Sequence, residues 1–181
     1  TMKYDNIPAN IDKKISKGMA GLFHINDDDL VLVGGSTHAG EEDILIRVFE
    51  RLSKTCPNLK LILAPRHIER TRDVSRLIEK MGFVPVLKTE IERSRYKWQD
   101  TKKTIILIDT VGDLGTIYSL SNYVFVGKSL VPSGGQNMME PAGLGKPVIF
   151  GPHTFNFKEE ADLLLKNDAA KVVETEDELL E

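Results

Sequence analysis

The chain has 181 residues, one cysteine, 28% charged residues and a net charge of −3. That length suits one domain with its own core, the charge balance excludes nucleic acid as a general partner, and a lone cysteine (Cys56) excludes a disulfide framework. No apolar run approaches the roughly 18 residues that span a membrane, and no signal peptide is visible.

In chain order, the opening Thr1-Met2-Lys3 puts a threonine ahead of a methionine. It reads as a cut into a longer protein or a tag remnant. Leu30 to Val33 is a buried strand ending in Gly34-Gly35. Glu41 to Lys54 carries Ile44, Leu45, Val48, Phe49 and Leu52 on one helical face. Leu59 to Ala64 is a second strand, stopped by Pro65. A helix from about Glu69 to Met81 follows, with Gly82 placed as its C-cap glycine. Phe83 to Leu87 is a third strand, and polar Glu90 to Lys103 reads as a loop or hairpin excursion. Thr104 to Ile108 and Tyr123 to Val126 are the fourth and fifth strands, with a helix from about Leu114 to Ser121 between them. A short helix from Asn137 to Leu144 leads to a sixth strand, Pro147 to Phe150. A helix from Lys158 to Asn167, the strand Lys171 to Val173 and an acidic helix close the chain.

Strands alternating with helices predict an α/β fold: one Rossmann-like, doubly wound, mostly parallel six-stranded sheet with helices on both faces, spanning residues 1–181 as a single domain. From Arg47 to Lys103 there are fifteen Lys/Arg against seven Asp/Glu, so the remainder is acidic. Solvated helix faces explain this; a basic region near an anionic ligand or membrane is the sharper alternative.

Ligands of such sheets bind outside the carboxyl ends of the strands. There the chain delivers Gly34-Gly35-Ser36-Thr37-His38, Pro65-Arg66-His67, Asp109 to Asp113, Gly127 with Pro132 to Asn137, and Gly151-Pro152-His153. Gly134-Gly135 lets the backbone approach a ligand. Glu140, near a helix start, suits the vicinal hydroxyls of a ribose. Against this, Gly34-Gly35 alone can be a turn, and Glu140 alone can be a helix-dipole partner. Neither G-x-G-x-x-G nor a Walker motif is present, the four histidines lack zinc spacing, and no serine sits in a nucleophile elbow. Tyr96 and Trp98 suit a packing anchor, or a membrane contact.

These motifs resemble the 3-deoxy-D-manno-octulosonic acid (Kdo) transferases of lipid A assembly. The resemblance runs through Met2-Lys3-Tyr4-Asp5, Gly35-Ser36-Thr37, Gly40-Glu41-Glu42, Ala64-Pro65-Arg66-His67, Glu69-Arg70, Asp109-Thr110, Gly112-Asp113-Leu114, Phe125-Val126-Gly127, Ser129-Leu130, Gly134-Gly135-Gln136-Asn137, Glu140-Pro141-Ala142 and Gly151 to Phe157. It implies the C-terminal, donor-binding half of a two-domain GT-B glycosyltransferase, with the N-terminal catalytic half outside this chain and the isolated piece inactive. It implies CMP-Kdo as donor, a lipid A precursor as acceptor, work at the cytoplasmic face of the inner membrane through peripheral contact, and no metal or other cofactor.

The resemblance implies no catalytic residue in this chain. Glu140 holds the ribose hydroxyls, and Asn137, Gly134 and Gly135 lie near phosphate or Kdo. Pro65 and Arg66 border the cytosine, Val111, Gly112, Asp113 and Leu114 line the nucleotide, and Ser36 and Thr37 face the interdomain cleft. Gln136 stands where the family has a histidine, Asp113 where it has a glutamate, and Lys128 where it has a glycine. Another GT-B enzyme using a UDP-sugar, or a non-catalytic nucleotide-binding module, are the alternatives.

Overall fold

Apolar runs flanked by glycine, proline and charge fold into one all-parallel sheet. The computed structural model describes residues 11–98 and 101–181; Thr1 and the Met2-Lys3-Tyr4-Asp5 motif lie outside them. The strands are β1 (Leu30–Thr37), β2 (Leu59–Pro65), β3 (Val84–Leu87), β4 (Thr104–Leu107), β5 (Tyr123–Val126), β6 (Val148–Phe150) and β7 (Ala170–Val172). Their order is β3-β4-β2-β1-β5-β6-β7, and every neighbouring pair is parallel.

Both faces of the sheet are covered, which is why the inner strands read as continuous apolar runs rather than alternating ones. Val31, Val33, Ile62, Ala64, Ile106, Val124 and Val126 share one layer with Phe23, Ile117 and Tyr118. Leu32, Leu61, Leu63, Ile105, Leu107 and Phe125 share the other with Leu45, Phe49, Val74 and Ile78. The first layer is built by α1 (Lys13–Leu22), α4 (Lys88–Glu92), α5 (Leu114–Leu120), α6 (Met139–Gly143) and α7 (Lys158–Lys166). The second is built by α2 (Glu42–Leu52), α3 (Thr71–Lys80) and α8 (Glu176–Leu180). Gly82 adopts φ +86 beyond α3, and its N–H donates to Glu79 O, the expected glycine stop.

Among the described residues the sheet has seven strands, not six. The seventh, expected as a strand at Lys171 to Val173 but not counted in the sheet, is Ala170–Val172, three half-exposed residues whose pairing with β6 adds them to it. The polar stretch after β3 is not simply a loop. Lys88–Glu92 forms α4, and Trp98 then stacks on His24 at 4.8 Å between ring centroids, with Tyr96 edge-on to Trp98 at 5.0 Å. Tyr96 and Trp98 thus anchor this segment on the first layer. Helix α1 had no counterpart in the sequence reading, because none of its residues is fully buried.

The charge asymmetry has an internal partner. Arg47 and Arg51 on α2 meet the acidic α8, with Arg47 Nε 2.7 Å from Glu176 and Arg51 2.9 Å from Asp177. The Arg47 hydrogen bond holds the Glu176 carboxyl below its ordinary range. Part of the basic stretch therefore complements the acidic C-terminus of the same chain.

Candidate functional site

The chain winds from β1 outward through β2, then returns from β4 to place β5 on the other side of β1. The connections leaving β1 and β5 therefore run to helices in opposite layers, which opens a crevice at that switch point. Five loops surround it, following β1, β2, β4, β5 and β6.

The loops after β1 and β5 are in close contact. Gly127 N donates to Gly35 O at 2.8 Å. A side chain at Gly127 would place its Cβ 2.4 Å from Ser36 O and 2.5 Å from Thr37 Cα, so only glycine permits this approach. At Ser36 the backbone bulges, with φ +53 and a break in the β1–β2 register. Beneath the bulge, the Glu41 carboxylate is fully enclosed. Its Oε2 accepts from the N–H of His38 (2.9 Å) and Lys128 (2.8 Å), and its Oε1 from Ser129 (2.9 Å) and Leu130 (3.0 Å).

Glu42, also buried, accepts from Thr37 Oγ1 at 2.9 Å and from both terminal nitrogens of Arg70 at 2.8 and 3.2 Å. A buried charge that loses its partner is costly. Arg70→Ala should therefore lower stability by about 2 kcal/mol, the bond being charge-assisted but Arg70 partly solvated. Urea denaturation checks this; a change below about 0.5 kcal/mol would mean that Thr37 and water suffice for Glu42.

On the α5 side, Tyr118 is buried directly under Gly35: a Cβ there would lie 2.2 Å from the Tyr118 hydroxyl. Burial pushes the phenol far above its ordinary range, the Glu140 charge adds to this, and a hydrogen bond with the Ser36 side chain opposes it. Tyr118 therefore stays a neutral phenol. Glu140, in the first turn of α6, comes close to α5: a Cβ on Gly115 would lie 3.1 Å from Glu140 Oε1. Burial raises the Glu140 carboxyl above the usual glutamate range. Among the described residues no hydrogen bond or ion pair reaches this carboxylate.

Asp113, Gly134, Gly135 and Asn137 fall on the loops around the crevice, Ser36 sits in the bulge at the end of β1, and Leu114 and Glu140 lie in the first turns of α5 and α6. Thr37 is fully enclosed beneath it, and Pro65 is buried at the end of β2, so neither side chain forms an open wall. Arg66 is exposed, and its N–H is fixed by Thr37 O at 3.0 Å. Val111 is 81% exposed on the rim, beside Gly112 at φ +94. Asp113 Oδ2 accepts from Thr110 Oγ1 and lies 3.3 Å from Nζ of the buried Lys88. Helix α6 begins at Met139 rather than Asn137, and Asn137 Oδ1 accepts from Met139 N ahead of it.

Gly134 and Gly135 have φ of +92 and +83. A Cβ on Gly134 would lie 2.3 Å from Nδ2 of the exposed Asn156 side chain, which can turn away, so the positive φ is what calls for glycine here. Gly135 N donates to Lys128 O at 2.7 Å, and Gly134 O accepts from Asn156 N at 3.0 Å.

Sequence reasoning did not single out Tyr118, Gly115 or Glu41 as site residues. Tyr118 falls inside the predicted helix from Leu114 to Ser121, where nothing local marks it as a site residue. Glu41 stood in a quoted motif, but an acid at a helix start reads first as a dipole partner. The larger cavities include one of about 510 Å³ at the amino ends of β5, β6 and β7, lined by Tyr123, Lys146, Pro147 and Lys171, away from the crevice.

No family model matches the chain. It is 37% identical over 166 residues to 3-deoxy-D-manno-octulosonic acid transferase of Haemophilus influenzae, covering 91% of this chain and 37% of that protein. It is 35% identical over 149 residues to 3-deoxy-D-manno-octulosonic acid transferase of Aquifex aeolicus, covering 82% of this chain and 39% of that one. The chain thus spans less than two fifths of these curated relatives. In fold it is similar to the crystal structure of the C-terminal CMP-Kdo binding domain of WaaA from Acinetobacter baumannii. The TM-score is 0.78 at 27% identity, covering 93% of this chain and 86% of that one.

Proposed function

We propose that this chain, which belongs to the 3-deoxy-D-manno-octulosonic acid transferase family, is the donor-binding domain of an enzyme that transfers Kdo from CMP-Kdo to a lipid A precursor. One observation carries the reading to particular atoms: the half-buried Glu140 carboxylate at the crevice has two oxygens and no donor among the described residues. A ribose offers two vicinal hydroxyls that donate to both. The Tyr118 phenol beneath Gly35 closes the floor behind it.

In the whole enzyme the acceptor hydroxyl oxygen attacks the anomeric carbon. The bond from that carbon to the phosphate oxygen breaks, and CMP leaves with the electron pair. The phosphate charge is held by the loop around Gly134-Gly135-Gln136-Asn137 and by Arg66. Val111, Gly112, Asp113 and Leu114 line the nucleotide, and Pro65 shapes the base end from below. Ser36 borders the sugar, and Thr37 acts from beneath through its bond to Glu42. The base that deprotonates the acceptor belongs to the remainder of the enzyme, as does the contact with the lipid. The reading includes peripheral contact with the cytoplasmic face of the inner membrane; no helix among the described residues is long and apolar enough to cross a membrane.

The test is calorimetric titration of this chain with CMP, with UMP as control. Saturable CMP binding, tighter than UMP by about tenfold, is the expected result, since a site that hydrogen-bonds one base edge leaves polar groups unpaired with another. Equal affinity for both would remove the cytidine-specific reading.

A further inference from the structure

We infer that Glu41 is the positioning residue of the donor loop, acting on the nucleotide through Lys128–Leu130 without touching it. This rests on the donor-binding reading above. Glu41 belongs to the turn before α2, yet three of its four bonds cross the switch point to the loop after β5. Three successive N–H groups converging on one point form a concave anion site. Lys128 holds φ +60 to make that curve, a conformation that glycine adopts without strain.

The site is filled from within. The enclosed carboxylate, followed by Glu42 and Asp43 at the start of α2, makes the first strand-to-helix turn hostile to a phosphate. A donor phosphate is directed instead to the glycine loop further along. That loop hangs from the segment Glu41 holds. Lys128 O accepts from Gly135 N, Ser129 O accepts from His153 N at 2.9 Å, and Ser129 Oγ accepts from Gly151 N at 2.9 Å. Asn137 and Glu140 follow directly. One buried carboxylate thus sets the path of the backbone that presents both.

Glu41→Gln keeps the shape and removes the chemistry. A glutamine offers one oxygen, and its NH₂ group faces two N–H donors where each carboxylate oxygen now accepts two. The expected result is an about tenfold weaker CMP affinity by calorimetry. Amide exchange should accelerate at Lys128–Gly135 while β2 and β4 keep their protection. Val48→Ala, a core truncation in α2 away from these loops, controls for lost stability and should leave CMP affinity within about twofold. In the wild-type chain, saturating CMP should slow exchange at His38, Lys128, Ser129 and Leu130, because coupling between loop and ligand is reciprocal; this arm stands even if Glu41→Gln does not fold.

Wild-type affinity in Glu41→Gln, an equal loss in Val48→Ala, or no slowing at those four amides under CMP would each overturn the inference. If the wild-type chain binds no CMP, the donor reading falls by itself. The exchange pattern of Glu41→Gln then decides separately whether Glu41 holds the loop.

Discussion

Gly127→Ala should cost about 3 kcal/mol of stability or more and remove nucleotide binding with it. The added methyl meets Ser36 O at 2.4 Å, Thr37 Cα at 2.5 Å and Ser36 C at 2.7 Å, all backbone. No rotamer change relieves these contacts. The ends of β1 and β5 must separate, which lengthens the bond from Gly127 N to Gly35 O and draws Lys128–Leu130 away from Glu41. Urea denaturation followed by circular dichroism measures the loss. Gly18→Ala on α1 is the control, since its Cβ meets nothing within 4 Å and a helix interior prefers alanine. A loss at Gly127 below about 1 kcal/mol would show that the switch point yields, contrary to a close-packed junction.

Glu140→Gln should move affinity and stability in opposite directions. It removes one of two acceptors for the ribose hydroxyls, so CMP binding should weaken by about 1–3 kcal/mol. Burial raises the Glu140 carboxyl in the folded chain, so the native state binds that proton more tightly than the unfolded one. The stability linked to the proton is fully present below the unfolded pKa and is lost as pH rises through the raised folded pKa. At pH 7 the ionised carboxylate is therefore a burden on the fold, and Glu140→Gln should melt at or above the wild-type temperature. The difference should shrink as pH falls through the raised Glu140 pKa. Melting curves taken from below the ordinary glutamate range up to neutral pH check the sign; a variant less stable at pH 7 would mean that the carboxylate holds the structure rather than awaiting a ligand.

The inner strands were legible because a sheet covered on both faces writes itself as unbroken apolar runs, as in Leu30–Val33 and Thr104–Ile108. The sequence marks Lys171 to Val173 as a strand, yet only the register with β6 gives β7 its place as a seventh member of the sheet. Helix α1 and the anchor of Tyr96 and Trp98 depend on contacts between distant segments, which local periodicity does not record. In the crevice, the glycines and Glu140 were visible as residue types that suit ligands. Glu41 was not, since its four donors come from residues on either side of β2, β3 and β4 in the chain. Thr37, which the resemblance turns toward the interdomain cleft, is enclosed with its hydroxyl donating to Glu42, a contact that the motif alone does not record.

The pairing of Leu32 with Tyr123 has a bearing on how the chain is made. A ribosome releases β1, β2, β3 and β4 long before β5, so the earlier half waits with one flank of β1 unpaired. Such an open parallel edge is a place where nascent chains associate wrongly. Glu41 stays hydrated through that interval, because three of its four donors have not yet been synthesised. Long-range parallel pairing is slow to form, so competence for nucleotide arrives in the closing step of folding, when β5 docks and the buried carboxylate is sealed.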